Sequence, residues 1–182
     1  NKSAKSIYSL LENLLNYSRI QLGVMHLDPT VLFPAKIAEE VCELLNSTAS
    51  AKEITLLNSI DFSIRINADK NMLYTVLRNL VSNSIKFSNE GGIITLSAES
   101  TTSGVIISVA DNGIGMDEKK IQSLFKIKEN KSSFGTKGEK GTGLGLVLCK
   151  ELIEKSDGNI SVTSIINEGT TFKITLPKNI LS

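Results

Sequence analysis

Asn79, Asn83 and Lys86 stand at i, i+4 and i+7, a spacing that lays two amides and an ammonium along one narrow stripe of a helix. The stripe borders an apolar face formed by Leu73, Val76, Leu77, Leu80, Val81 and Ser84. Polar groups on the seam of a core are costly to desolvate unless something polar meets them. Water on a solvated helix edge meets that need, and so does a ligand carrying phosphates and a cation. In the second case an Asn oxygen can ligate Mg²⁺, which takes its other ligands from water and phosphate oxygens. Lys86 then meets the phosphates as a point charge.

Asp111-Asn112-Gly113-Ile114-Gly115-Met116 directly follows an alternating apolar run. A carboxylate at a strand end can accept a hydrogen bond from an amino group such as that of a purine. Gly113 and Gly115 allow a tight turn and close approach to a flat ligand. In isolation the same residues read equally as an Asp-Gly surface turn. Lys140-Gly141-Thr142-Gly143-Leu144-Gly145-Leu146 opens a helix. Exposed backbone N–H groups at a helix start make an anion cradle. The spacing is neither that of the Rossmann fingerprint nor that of a Walker A loop. Between these two segments Lys126 to Lys140 is polar and aperiodic, with Lys126, Lys128, Lys131, Lys137 and Lys140. A solvated loop and a cationic lid over a triphosphate both fit it.

The elements that hold these residues follow from apolar periodicity and punctuation. Ile7, Leu10, Leu11, Leu14, Leu15 and Leu22 form a wide stripe on a first helix over residues 1–22, wide enough to call for a partner helix. Gly23, Pro29 and Pro34 mark 23–34 as a linker, which leaves 35–182 as the main domain. A second helix starts at Pro34, burying Ile37, Ala38, Val41, Leu44, Leu45 and Thr48. Short strands are expected at Ile54–Leu57 and Phe62–Ile66, then a long helix from Lys70 to Ser88 capped by Asp69. Strands Ile93–Glu99 and Val105–Ala110, a short helix Asp117–Phe125, a helix Leu144–Lys155 and strands Ile160–Ile166 and Thr170–Leu176 complete the chain. This mixed order is not a strict βαβ alternation. It predicts an α+β fold, a two-layer sandwich whose mixed, mostly antiparallel sheet is covered on one face by helices.

Composition narrows the function classes. The 182 residues carry 20 Lys+Arg against 19 Asp+Glu, a net charge of +1, which argues against a nucleic-acid binder driven by bulk charge. Two cysteines, Cys42 and Cys149, make neither a disulfide framework nor a zinc cluster and suit a reducing, cytoplasmic setting. No apolar run approaches the roughly 18 residues a membrane span requires. The first residue is Asn1 rather than methionine, and the chain is expected to be part of a longer one, whose parent could be membrane-anchored.

Taken in order, these segments resemble the ATP-binding catalytic domain of sensor histidine kinases, which share the Bergerat fold. Asn79 to Phe87 resembles the N box, Asp111 to Met116 the G1 box, Leu124-Phe125 the start of the F box and Gly141 to Leu146 the G2 box. Gly169-Thr170-Thr171-Phe172 and Leu176-Pro177 are similar to the closing strand. Leu14-Leu15-Asn16-Tyr17-Ser18-Arg19 resembles the end of the dimerisation helix pair. The F box departs from the pattern, since its second aromatic is missing after Leu124-Phe125-Lys126-Ile127.

The resemblance implies roles. Asn83 ligates Mg²⁺, supported by Asn79; Lys86 faces phosphate and Phe87 packs near the nucleoside. Asp111 binds the adenine amino group beside Gly113 and Gly115, and Thr171 holds a water near adenine. Lys140, Gly141, Thr142, Gly143, Leu144, Gly145 and Leu146 wrap the triphosphate, and Lys126–Lys140 form the lid. ATP and Mg²⁺ are the implied cofactors. The implied partners are the chain's own dimerisation domain, a response-regulator receiver domain and a second copy in the full-length homodimer.

ATP-hydrolysing members of the fold place a glutamate on the N-box helix. Here that position is Asn79, and Lys70 to Asn89 contains no Asp or Glu. An amide cannot take a proton from water, so transfer of the γ-phosphate to a protein histidine is favoured over hydrolysis. His26, the one histidine, is expected to be a linker residue, and the acceptor to lie on an upstream helix. This chain alone is therefore expected to bind ATP without phosphorylating itself. A nucleotide-binding module that signals by conformation stays open as a second class. An anti-sigma-type serine kinase is a third, disfavoured by the dimerisation-helix resemblance.

Overall fold

The computed structural model describes residues 11, 14–15, 17–126, 134–139 and 143–177. Residues 17–21 belong to the first helix, α1. Helix α2 (Pro34–Ser50) opens on proline in its first turn, where a missing N–H forfeits no hydrogen bond. It buries Pro34, Ala35, Ile37, Ala38, Val41 and Ala49. Leu44 is 52% exposed and Thr48 is also exposed, against expectation, because the last turn packs through the small Ala49 instead.

Strand β1 (Thr30–Leu32) lies inside the segment read as a linker and pairs antiparallel with β3 (Ile66–Ala68). Three residues are too few for a periodic signal; the partner strand makes them extended. Strand β2 (Thr55–Asn58) precedes β3. The strand expected from Phe62 is displaced to Ile66 because Asp61 accepts a hydrogen bond from Ser63 N at 2.7 Å, an Asx turn that diverts the chain.

Helix α3 (Lys70–Phe87) begins as expected, with Asp69 accepting from Met72 N at 2.8 Å. The other oxygen of Asp69 accepts from Asp28 N at 2.9 Å, so one carboxylate caps the helix and ties down the incoming chain. Strands β4 (Ile93–Ser100) and β5 (Gly104–Asp111) form a hairpin. Helix α4 (Glu118–Ser123) is capped by Asp117. Helix α5 (Gly145–Glu154) and the hairpin of β6 (Asn159–Ile165) and β7 (Gly169–Pro177) follow.

The five-stranded sheet has the order β2-β4-β5-β7-β6, with β2 and β4 parallel and the remaining pairs antiparallel. Alternation turns Ile94 and Leu96, Ile107 and Val109, and Phe172 and Ile174 inward, where all are buried. They share one core with Leu73, Leu77 and Leu80 of α3 and Leu148 and Leu152 of α5. The expected one-sided helix layer on a mixed sheet is what this sequence folds into. Its consequence is positional: α3 runs beneath the sheet so that its last two turns reach the end of β5.

Candidate functional site

Asp111 is the last residue of β5, and its position is fixed from three sides. Ser84 Oγ on α3 donates to Oδ2 at 2.8 Å, Gly113 N to Oδ1 at 3.0 Å and Thr170 N to Oδ1 at 3.3 Å. Burial raises its pKa above the ordinary carboxyl value, opposed by those three hydrogen bonds. Three donors make the carboxylate an oriented acceptor.

The turn after Asp111 threads a narrow gap. A Cβ on Gly113 would lie 2.5 Å from the Phe87 carbonyl oxygen and 2.9 Å from Asp111 Oδ1. Ile114 N then donates to that Phe87 oxygen at 3.1 Å. Gly115 has φ +64°, and a Cβ there would overlap the Ile165 carbonyl. The G1 turn is thus stitched to the end of α3 on one side and to the β6–β7 turn on the other, where Asn167 N donates to Ile114 O at 2.9 Å.

On α3 the polar stripe flanks Ser84, the residue that meets Asp111. The Asn79 amide nitrogen is buried without an oxygen acceptor among the described residues, and the side chain bonds instead to the buried Cys149 thiol, a weak partner. Asn83 is half-buried one turn on. Lys86 Nζ sits 4.6 Å from the centroid of the Phe87 ring, a cation–π distance. Partial burial lowers the Lys86 pKa; Glu139 opposes that shift and Lys120 adds to it.

Helix α5 abuts the same stripe, for a Cβ on Gly145 would come 3.2 Å from Asn79 Oδ1. Gly143 has φ +75°, and Leu144, the N-cap, has no side-chain acceptor to offer the first N–H groups of the helix. Those N–H groups and the helix dipole suit an anion. Lys140, Gly141 and Thr142 lie outside the described residues, as do residues 127–133 of the expected lid.

Thr171, expected near adenine, pairs with Ala110 and points to the sheet face away from the helices. The residue registered with Asp111 is Thr170; it is buried, and its hydroxyl is 2.9 Å from Ser164 Oγ. Period-2 alternation from buried Phe172 already puts Thr170, not Thr171, on the inner face, so the signal was present in the sequence. Ser84 was also legible, as the one hydroxyl on an apolar helix face. Lys52 and its partners Thr136 and Glu139 carried no signal in the sequence. Lys52 is 4% exposed, and its Nζ lies 2.7 Å from Ile85 O, 2.6 Å from Thr136 Oγ1 and 3.1 Å from Glu139 Oε1.

The donor chemistry fits a metal held through phosphate and water. Among the described residues no cluster of three His, Cys, Asp or Glu side chains could cage an ion, whereas two amides and a lysine line α3. A single amide oxygen suits Mg²⁺ that keeps most of its ligands from substrate and solvent.

The family model described as histidine kinase-, DNA gyrase B- and HSP90-like ATPase matches residues 68–180. The chain belongs to this ATP-binding family, and its relatives within it are sensor histidine kinases. It is 34% identical over 181 residues to the sensor protein GacS of Pseudomonas syringae pv. syringae, covering 96% of this chain and 20% of that protein. The chain therefore spans about a fifth of the length of the curated relatives it matches first. The catalytic domain of histidine kinase ThkA superposes with a TM-score of 0.72 at 27% identity, covering 84% of this chain and 97% of that one. Full-length ShkA in complex with AMPPNP gives a TM-score of 0.81 at 25% identity, covering 97% and 36%. Among the described residues no helix is long and apolar enough to cross a membrane.

Proposed function

We propose that this chain binds Mg-ATP and directs the γ-phosphate to a histidine on a dimerisation helix hairpin, for relay to an aspartate of a response-regulator receiver domain. The observation that carries the reading is the polar stripe of α3: it presents amides and a lysine to the nucleotide region and has no carboxylate. Asp111 accepts the adenine amino group, and Thr170, registered beside it, offers a hydroxyl for a bridging water. Asn83 supplies an oxygen to Mg²⁺, with Asn79 beside it at the start of α5. Bound Mg²⁺ would neutralise charge on the phosphates. Lys86 and the N–H groups at Gly143 to Leu146 stabilise phosphate charge without taking a proton. With no general base on α3 to activate water, the arrangement favours a nucleophile that arrives from another element.

Leu11, Leu14 and Leu15 are exposed on the first helix, which supports a partner helix there and a homodimer in the parent protein. We assign residues 1–22 to the end of the dimerisation helix. The catalytic domain then runs to residue 182, with β1 included because it pairs with β3. Free Cys42 and Cys149 support a cytoplasmic setting. The test is transfer of label from γ-labelled ATP to a separately supplied dimerisation hairpin. Acid-labile, base-stable label on the hairpin is expected; ATP hydrolysis without transfer would reject the reading.

A further inference from the structure

Lys52 is a buried cation outside the nucleotide-site motifs. It follows α2, in the turn before β2, and nothing in its local sequence calls for burial. A lysine is rarely buried unless its ammonium is fully met. Here the ammonium lies 2.7 Å from Ile85 O and 3.2 Å from Lys86 O, two terminal carbonyls of α3. It also reaches Thr136 Oγ1 at 2.6 Å and Glu139 Oε1 at 3.1 Å. A cation on the last carbonyls of a helix satisfies groups that have no intrahelical partner and complements the dipole.

The 136–139 turn is held by more than this ion. Thr136 N donates to Lys86 O at 3.0 Å and Thr136 Oγ1 donates to Ser88 O at 2.8 Å. Glu139 Oε2 accepts from Lys137 N at 2.8 Å, and Lys137 Nζ pairs with Glu90 at 3.0 Å. Gly135 is pressed so close to Lys86 that a Cβ would meet its Cγ at 2.5 Å. Glu139 also acts on Lys86, raising its pKa against the effect of burial. One carboxylate therefore stands between a structural lysine and the lysine that faces phosphate.

We propose that Lys52 is a positioning residue for the phosphate end of the nucleotide site. Through Thr136 and Glu139 it clamps the 134–139 segment onto the last turn of α3, and so fixes the backbone and the electrostatic surroundings of Lys86. The proposal rests on the nucleotide reading above for its ligand. The clamp itself is a property of the folded chain and is measurable without nucleotide.

Two measurements on Lys52→Met, Thr136→Val and Glu139→Gln separate these parts. The first is hydrogen exchange in nucleotide-free protein, read on peptides covering 85–88 and 134–139. Faster exchange at Thr136, with the β4–β5 core unchanged, is expected; unchanged exchange in all three variants overturns the clamp. The second is competition of ATP and of adenosine against a fluorescent nucleotide. In Thr136→Val and Glu139→Gln, whose other packing is retained, ATP affinity should fall about tenfold while adenosine affinity stays within about twofold. Equal losses for ATP and adenosine, or no loss for either, overturn the positioning role. If the wild type binds neither ligand, the nucleotide reading fails and takes the positioning role with it, and the exchange experiment still decides the clamp. If Lys52→Met fails to fold, the two milder variants carry both measurements.

Discussion

Ser84 Oγ donates to Asp111 Oδ2 at 2.8 Å, and that contact joins the two halves of the proposed nucleotide site. Ser84 belongs to the helix that carries Asn79, Asn83 and Lys86. Asp111 ends β5, the strand that leads into the turn we propose to recognise the base. Their separation of 27 residues is bridged because α3 packs against β5 with Ser84 and the Phe87 carbonyl at the strand end.

Asp111→Asn should weaken base recognition while leaving the fold intact. All three groups bonded to the carboxylate can be met by an amide: Oδ1 can still accept from Gly113 N and Thr170 N, and Nδ2 can donate to Ser84 Oγ. Loss of a charged acceptor should weaken ATP by about 2 kcal/mol, roughly thirtyfold, measured by calorimetry.

The same substitution gives a pH test of the buried charge. Burial raises the folded pKa of Asp111, so the folded state holds its proton more tightly than the unfolded chain. The stability contributed is full below the ordinary carboxyl value and is lost as pH rises through the folded pKa. The substituted amide cannot titrate, so the melting-temperature difference should shift in favour of Asp111→Asn as pH rises from the ordinary carboxyl value, about 4, through the folded pKa. A constant difference across that range would contradict the raised pKa.

Asn83→Ala should remove much of the Mg²⁺ requirement along with affinity. Titration of ATP with and without Mg²⁺ should show at least a tenfold Mg²⁺ effect in the wild type and about twofold in the variant, as loss of one metal ligand implies. Identical Mg-ATP affinity in the two proteins would reject the ligand assignment.

Gly113→Ala and Gly91→Ala form a matched pair. A Cβ on Gly113 would push on Phe87 O and Asp111 Oδ1, whereas Gly91 (φ +73°) has open space around it. Gly91→Ala should cost about 1 kcal/mol of stability from backbone strain alone and leave ATP affinity unchanged. Gly113→Ala should lower both stability and affinity, read by thermal melts and calorimetry.

His26→Ala should leave phosphoryl transfer to a supplied hairpin intact. His26 is exposed, and its neighbour Met25 lines a cavity with Met72, Arg78 and Leu152. Asp28, two residues on, donates its N–H to the α3 cap Asp69 at 2.9 Å, and Asp69 and Lys86 are about 26 Å apart along α3 at the ordinary helical rise, so His26 lies near the start of α3, at the far end from Lys86. Base-stable label on the chain itself, lost in His26→Ala, would make His26 the acceptor.

Local chemistry determined much of this protein without reference to tertiary contacts. Asp69 before an apolar-periodic run set the start of α3, and Pro34 the start of α2, because caps and proline act within one turn. The i, i+4, i+7 spacing put Asn79, Asn83 and Lys86 on one stripe, and the order of the Gly-rich segments gave the family resemblance. Choices between equivalent local states were left to the fold. The three residues of β1 are extended because β3 pairs with them, and Phe62 is excluded from β3 by the Asp61 turn. Thr170 rather than Thr171 faces Asp111 because the β5–β7 register sets which alternating face is inward. Lys52 is buried because two helix carbonyls, a hydroxyl and a carboxylate, drawn from segments more than thirty residues away, converge on one ammonium. Nothing along the chain encodes that convergence; it exists once α3, β2 and the 134–139 segment are packed together.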